Sequence, residues 1–249
     1  MNREYAALYR DLYEHHWWWQ AREAILVDEI ARRAPTEGWG RILDVGCGDG
    51  LFFDRLRAFG DVRGVEPDAS LISADSDDRD RIYVGAFNEG FNPGVPFGLV
   101  LLLDVLEHLD DPVVALKHAG ALLAPGGRIL VTVPAFQMLW TTHDDLNEHR
   151  RRYRRSSLAA AAQAAGLAML STRYLFQWLV PAKLLVRVAE RAVGRESRLP
   201  TIPPDWLNGA LLRLTRLEAA SLGRLSVPFG SSLLAWYSLS DDVAGAAGA

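Results

Sequence analysis

Apolar runs and glycine-rich breaks alternate along the chain. Ile42, Leu43 and Val45 form a short run that suits a strand covered on both faces, and it breaks into Gly46-Cys47-Gly48-Asp49-Gly50. A helix is predicted from Leu51 to about Phe59, then a strand over Val62–Val65 that ends in Glu66. A polar, Asp-rich connection from Asp68 to Asp80 leads to a strand over Arg81–Val84. The stretch 85–96 ends in Asn92-Pro93-Gly94-Val95-Pro96 and leaves no room for a helix before Leu99–Leu103. That run is apolar throughout, as a central parallel strand is. Pro112 opens a helix to about Leu123, Pro125-Gly126-Gly127 stops it, and Arg128–Val133 reads as another strand. Ser156-Ser157 can cap an Ala-rich helix ending at Gly166, and strands follow at Ala168 to about Phe176 and at Leu233–Leu239. The alternation predicts an α/β fold: a doubly wound, Rossmann-like parallel sheet with right-handed crossovers.

Two stretches lie outside that pattern. Residues 4 to 33 read as helical, with stripes at Tyr5, Leu8, Tyr9, Leu12 and Tyr13 and again at Ile25, Leu26 and Ile30. Between them stand His15-His16-Trp17-Trp18-Trp19. Neighbours on a helix point about 100° apart, so three tryptophans cannot all face one core. Either they wedge a capping helix onto the domain or they meet a ligand, and a lid would do both. The second stretch lies before the last strand. Lys183, Arg187 and Arg191 recur opposite Leu184, Leu185 and Val188, and Leu207, Leu211 and Leu214 lie opposite Arg213 and Arg216. These read as amphipathic helices with a basic face, either packed as a cap or lying against a membrane surface. The predicted organisation is a helical lid over 1–35, a ligand-binding core over 36–176, a helical cap insertion over 177–230, and a last strand with a frayed tail over 231–249.

Composition narrows the class. The chain has 249 residues, 49% of them hydrophobic, which is enough for a sizeable core. A net charge of −4 argues against a broad nucleic-acid surface. Cys47 is the single cysteine, so disulfides play no part and a reducing compartment such as the cytoplasm fits. The N-terminus lacks the apolar core of a signal peptide, and no uninterrupted apolar run is long enough to span a bilayer. Peripheral membrane contact through the insertion and a homodimer through the Trp-rich segments stay open.

The chemistry gathers at the carboxyl ends of the predicted strands, where ligands bind in open α/β sheets. Asp44, Glu66, Phe87, Asp104 and Pro134 all fall there. The turn reads G-x-G-x-G with an acid two residues before it, not G-x-G-x-x-G. Asp44 would repel a diphosphate and attract a ligand with a cationic amino-acid end. Glu66 stands where a carboxylate accepts hydrogen bonds from vicinal ribose hydroxyls. Together they favour S-adenosylmethionine (SAM) over a nicotinamide dinucleotide.

Four ordered motifs, ILDVGCGDG, GVEPD, LLLDVLEHLDDP and LLAPGGRILVTVP, resemble those of the class I SAM-dependent methyltransferases with a generic small-molecule methyltransferase domain. The resemblance runs from about Arg41 to Val133 and implies a seven-stranded sheet whose last strand is antiparallel. It assigns Asp44, Gly46, Cys47 and Gly48 to the methionine end of SAM. Glu66 would hold the ribose, Pro67, Ala86 and Phe87 would border the adenine, and Leu103 and Asp104 would close the cleft. The chain departs from relatives that carry Asp where Ala86 stands, so backbone groups would have to recognise the adenine amine. It departs again at Gly98, where many relatives have Asp. Glu14–Arg22 is similar to an E-x-H-W-W-x-x-x-R signature, and Leu139–Tyr153 to a stretch in relatives from cell-envelope polysaccharide or lipid pathways. A SAM-dependent methyltransferase acting on a small-molecule acceptor, lipid-linked or glycosyl, at O or N is the implied function. A NAD(P)-dependent oxidoreductase and a non-catalytic SAM-binding module are the alternatives.

A sulfonium donor needs an in-line nucleophile, and an oxygen or nitrogen acceptor can also need a base. His143, oriented by Asp144 or Asp145, is the first candidate and His149 the second. Trp17, Trp18, Trp140 and Arg150 are candidate acceptor contacts, the last within an arginine run over 150–155 that could bind an anion. No metal ligand is assigned.

Overall fold

In the computed structural model, which describes residues 3–193, 199–222 and 227–241, the apolar runs pair into one seven-stranded sheet. Its strands are β1 (Gly40–Val45), β2 (Gly60–Glu66), β3 (Ile82–Val84), β4 (Phe97–Leu103), β5 (Leu123–Pro134), β6 (Leu167–Leu175) and β7 (Ser232–Leu239). Their order is β3-β2-β1-β4-β5-β7-β6. The first five are parallel, and β7 inserts antiparallel between β5 and β6, with Leu130 opposite Trp236. The resemblance placed this antiparallel strand correctly. The frayed tail expected beyond 241 lies outside the described residues.

Alternation along the central strands supplies two cores. Leu43, Val45, Val100, Leu102, Val131 and Val133 face one side with Leu116 of α4 (Pro112–Ala121) and Leu158 of α6 (Arg155–Ala164). Ile42, Leu99, Leu101, Leu130 and Trp236 face the other. There they meet Ala21, Ile25, Leu26 and Ile30 of α2 (Trp17–Arg33) and Phe53 and Leu56 of α3 (Phe53–Leu56). With both faces covered, near-continuous apolar strands follow. Gly98 in β4 has a steric reason: a Cβ there would overlap the carbonyl oxygen of Trp39.

Several elements differ from expectation. The helix after the glycine turn is only α3, because residues 51 and 52 stay in the turn and β2 already begins at Gly60. α6 starts at Arg155, with the Ser157 hydroxyl accepting from the Arg154 N–H (3.0 Å), so the serine closes the first turn from inside rather than capping it. Residues 135–147, expected as loop, contain a 3₁₀ turn at Gln137–Leu139 and α5 (Thr142–Leu146). The N-terminal helical segment breaks at His16, whose ring accepts from the Trp18 N–H at 3.2 Å and caps α2. α1 (Arg3–His15) is thereby separated from α2.

The insertion forms α7 (Leu179–Val193) and α8 (Asp205–Leu222). α7 turns part of its basic face inward and leaves apolar residues outside. Leu185 and Val188 are 71% and 62% exposed, while Arg187 turns inward and donates to the carbonyls of Gln137 (3.3 Å) and Met138. Hydrophobic periodicity identifies an amphipathic helix without saying which face its surroundings need.

One buried carboxylate ties α2 to the antiparallel strands. Glu29, 3% exposed, accepts from Arg32 (2.6 Å), Arg33, Arg173 of β6 (3.0 Å) and the indole N–H of Trp236 in β7 (3.2 Å). Replacing it leaves Arg173 and the Trp236 N–H without that acceptor. Glu29→Ala is expected to destabilise the chain by about 3 kcal/mol in urea unfolding, whereas Arg32→Ala, at an exposed pair, is expected to cost under about 1 kcal/mol.

Candidate active site

After β1 the chain turns at Gly46, Gly48 and Gly50, with φ of +72°, +54° and +73°, values that glycine adopts without a Cβ penalty. The Gly46 N–H donates to the Val65 carbonyl at 2.8 Å. The Gly48 N–H donates to Glu66 Oε2 and the Asp68 N–H to Glu66 Oε1, both at 2.9 Å. Glu66 is thus fixed at the end of β2, 4% exposed, and burial raises its pKa. Each oxygen accepts one bond there and has capacity for a second, which suits a pair of hydroxyls.

A cavity of about 660 Å³ runs along this edge, within the range of small-ligand sites. Gly46, Gly48, Glu66, Pro67, Ala86, Phe87 and Asp104 line it, as does Asn88, which the sequence reading missed. Tyr9 and Arg10 of α1 close it from above. Three expected cofactor residues do not line it. Cys47 packs its sulfur against Gly64 under β2. Leu103 borders a neighbouring cavity instead. Asp44 is 5% exposed behind the turn, and burial lifts its pKa to about 7 against the opposing charge of Arg22, with Glu66 adding to the rise.

Arg22 of α2 was not singled out in advance, although it closes the E-x-H-W-W-x-x-x-R pattern. Its guanidinium donates to Asp104 Oδ2 at 2.6 Å and lies 5.8 Å from the ring centroids of both Trp18 and Trp19. Asp104 itself sits at φ +60° where β4 ends, an unusual conformation for a non-glycine residue. Asp104 and Arg22 therefore stand at the glycine-turn end of the cleft, complementary to the ammonium and carboxylate of an amino acid, with Asp44 buried behind the turn.

The second cavity, about 340 Å³, shares Tyr9, Gly46 and Asp104 with the first, so the two meet at the end of β4. Trp17, Trp18 and Trp19 wall one side. They diverge as helical geometry requires. Trp17 packs on Trp178 (5.4 Å between centroids), Trp18 on Phe176 (5.8 Å) and Trp19 edge-on to Tyr9 (5.0 Å). The opposite wall carries His143, Asn147, His149, Arg152 and, from α7, Lys183.

Asp144 organises that wall. It has no exposed surface and accepts from Arg152 Nε (2.7 Å) and Nη2 (2.8 Å), from the Thr141 N–H (2.9 Å) and from His149 Nδ1 (2.9 Å). These bonds hold its pKa below the usual carboxylate range despite its burial. Asp144, expected with Asp145 to orient His143, hydrogen-bonds His149, and Asp145 accepts from the Trp140 indole N–H (2.8 Å). His143 Nε2 lies 3.2 Å from Asn147 Nδ2, and burial, helped by Lys183, pushes its pKa down to about 4. Of the residues expected to touch an acceptor, Trp140 and Arg150 line neither cavity. Arg150 pairs with Asp110 at the surface, Arg151 donates to the Leu109 and Asp110 carbonyls, and Arg155 lies over the Tyr174 ring. The arginine run is spent on holding its own loop.

Beneath His149 lie His108, with ring centroids 4.9 Å apart, and Glu107, fully buried with neither carboxylate oxygen hydrogen-bonded. One ligand atom from each of the three lies within 4.8 Å of the others, a grouping that could hold a cation.

An open α/β sheet with an acid-and-glycine turn, a ribose-type carboxylate and an antiparallel β7 defines a class I SAM-dependent methyltransferase architecture. A sequence profile described as a methyltransferase domain matches residues 18–172. The chain belongs to that family. It is 36% identical over 98 residues to a ubiquinone biosynthesis O-methyltransferase of Bradyrhizobium diazoefficiens, covering 37% of this chain and 39% of the relative. It is 29% identical over 152 residues to the protein of that name from Azorhizobium caulinodans, covering 58% and 50%. The chain thus spans half or less of the length of these two relatives. In fold it is similar to an SAM-dependent methyltransferase from Clostridium acetobutylicum, with a TM-score of 0.54 at 10% identity over 88% of this chain and 91% of that one. It is also similar to a TehB-like SAM-dependent methyltransferase from Corynebacterium glutamicum, with a TM-score of 0.55 at 18% identity over 96% and 100%.

The buried Asp44 yields a pH test. Its folded pKa of about 7 lies above the ordinary 3.8, so its contribution to stability is fully present below pH 3.8 and is lost as pH rises to about 7. Asp44→Asn is expected to raise the melting temperature of the ligand-free chain at pH 8 but not at pH 4, and to weaken SAM binding in calorimetry.

Proposed function

We propose that the chain transfers the methyl group of SAM to an oxygen of a small-molecule acceptor seated in the 340 Å³ cavity. SAM, when bound, supplies an activated methyl on a cationic sulfur. The chain's own residues fit it: Glu66 for the ribose hydroxyls, Arg22 for the carboxylate and Asp104 for the ammonium, with Asp44 buried behind the turn. Ala86, Phe87 and Asn88 border the adenine end, where backbone groups and Asn88 supply the polar contacts.

The observation that carries the reading is the His149–Asp144 pair on the cavity wall (2.9 Å). Asp144 is ionised and accepts from Nδ1, so the neutral ring carries its proton there and presents the Nε2 lone pair. His149 takes the acceptor's proton, and Arg152 and the Thr141 N–H fix Asp144 while it orients the ring. His143, with its pKa near 4, is a weak base at neutral pH and serves as a cavity wall. An oxygen acceptor is favoured because the curated relatives are named O-methyltransferases. Apolar walls from Trp17, Trp18 and Leu179 suit an acceptor with an apolar, lipid-linked portion.

Calorimetry is expected to show SAM and S-adenosylhomocysteine binding and no binding of NAD; the reverse result would return the chain to the oxidoreductase alternative. His149→Asn is expected to lower turnover by about 10²-fold or more with SAM affinity unchanged, and His143→Ala by much less. Full turnover by the His149 variant would remove it from the base role, and no turnover by the unsubstituted chain would favour a binding module.

The outer surface of the insertion supports peripheral attachment to an anionic membrane. Leu185 and Val188 of α7 are exposed, as are Trp206 (75% exposed), Leu217, Arg213 and Arg216 of α8. No helix among the described residues is long and apolar enough to cross a membrane. Flotation with phosphatidylglycerol vesicles, lost in Trp206→Glu and in high salt, is the expected result; equal flotation of that variant would refute the attachment.

A further inference from the structure

The sequence pattern puts Lys183 on an outward basic face of α7, yet the structure turns it into the second cavity together with Leu179, one helical turn earlier. That orientation is locked from the next turns of the helix. Arg187 donates to the Gln137 and Met138 carbonyls, and Glu190 accepts from the Thr142 hydroxyl (2.8 Å) and N–H (3.2 Å). The i, i+4 face of α7 is therefore bolted to the segment that carries His143 and Asp144.

The other two cations of the cavity are already engaged, Arg22 being the residue assigned to the carboxylate of SAM. Arg22 is held by Asp104, and Arg152 is held bidentate by Asp144. No carboxylate of the described residues lies within 4.0 Å of the Lys183 ammonium, and it makes no hydrogen bond to them. A cation with no carboxylate of the described residues beside it, facing a cavity walled by tryptophans, is a recognition group awaiting its ligand.

We propose that the acceptor carries an anionic oxygen group, a carboxylate, phosphate or acidic phenol, and that Lys183 is its counter-ion. This rests on the reading of the second cavity as the acceptor site. It moves the anion site from the Arg150–Arg155 run, whose members are engaged elsewhere, to a residue that the sequence hid on a helix face. It also gives α7 a function: the insertion closes the cavity and brings the one charge that selects the acceptor.

Electrostatics adds a signature. Burial and the neighbouring Arg152 push the Lys183 pKa down to about 8, while Asp144 and Asp104 pull the other way. Arg22 and His16 face the cavity from the α2 side, Glu107 from the loop after β4, and His143 and His149 from the wall opposite. The pKa of His143 is already far below neutrality, and burial lowers that of His16. Of these groups, Lys183 is the one that loses a positive charge near pH 8.

The test uses the full chain saturated with S-adenosylhomocysteine and reads the fluorescence of Trp17–Trp19. Benzoate and phenyl phosphate are the anionic probes, and benzamide is the neutral control. At least one anion is expected to bind about tenfold or more tightly than benzamide, the stronger of the two identifying the group as carboxylate or phosphate. Its affinity is expected to fall as pH rises through about 8. Lys183→Gln is expected to erase both the preference and the pH dependence while its melting temperature stays near that of the unsubstituted chain, and Lys183→Arg to keep the preference. Anion binding unchanged in Lys183→Gln, or equal binding of benzamide, overturns the assignment, as does the absence of binding by both anions. Failure to bind S-adenosylhomocysteine in calorimetry would instead count against the methyltransferase reading itself.

Discussion

A carboxylate with no exposed surface, Asp144, holds one wall of the second cavity together. Burying an ionised acid is costly unless every lone pair is used. Here the bidentate guanidinium of Arg152, the Thr141 N–H and His149 Nδ1 use them. Arg152 in turn donates to the Ala135 carbonyl (3.1 Å), just past the end of β5. One residue thereby fixes the start of α5, the tautomer of His149 and the position of the arginine loop relative to the sheet. An apolar residue could fill that volume, but it could not select which nitrogen of His149 carries the proton. The buried charge is better explained by specificity than by stability.

The donor side depends on a different economy. The glycine turn and β2 present backbone N–H groups to Glu66, so the carboxylate is oriented before any ligand arrives. Arg22 and Asp104 are likewise paired beforehand. A zwitterionic ligand end would exchange these protein–protein contacts for protein–ligand ones of the same kind, which limits the desolvation cost of binding. The two cavities meet at Asp104 and Gly46, so the strained residue at the tip of β4 lies at the boundary between them.

Much of the sheet was legible in the sequence because parallel strands covered on both faces leave apolar runs that nothing else in the chain imitates. Leu99–Leu103 and Ile42–Val45 are examples. The G-x-G-x-G turn with Asp44 before it and Glu66 after it was legible for a related reason: its chemistry is local, fixed by neighbours in sequence. What was not legible depended on which surface a side chain meets. Lys183 and Leu185 sit two residues apart on one amphipathic helix, and only the packing of α7 on residues 137–142 turns the lysine inward. His143 and His149 flank Asp144 at distances of one and five residues, and it is the more distant His149 that hydrogen-bonds it. The arginine run over 150–155 looked like a ligand site because its partners, Asp110, Asp144 and the 109–110 carbonyls, lie elsewhere in the sequence or are backbone atoms.

The same logic explains why the tryptophan triplet is placed where it is. Successive residues at the start of α2 point toward three different elements, so Trp17 meets the insertion, Trp18 the edge of the core and Trp19 the α1 helix. Beyond that first turn, α2 is an ordinary core helix, buried through Ala21, Leu26 and Ile30 and anchored by Glu29 to β6 and β7. One helix therefore carries a rigid half and a half that senses the cavity. Arg22 sits at the junction, stacked beneath two of the tryptophans and paired with Asp104. Displacement of Asp104 from Arg22 would be felt by Trp18 and Trp19, which pack on Phe176 and Tyr9 respectively. One guanidinium is thereby shared between a strained aspartate where the two cavities meet and an aromatic cluster on the wall of the second.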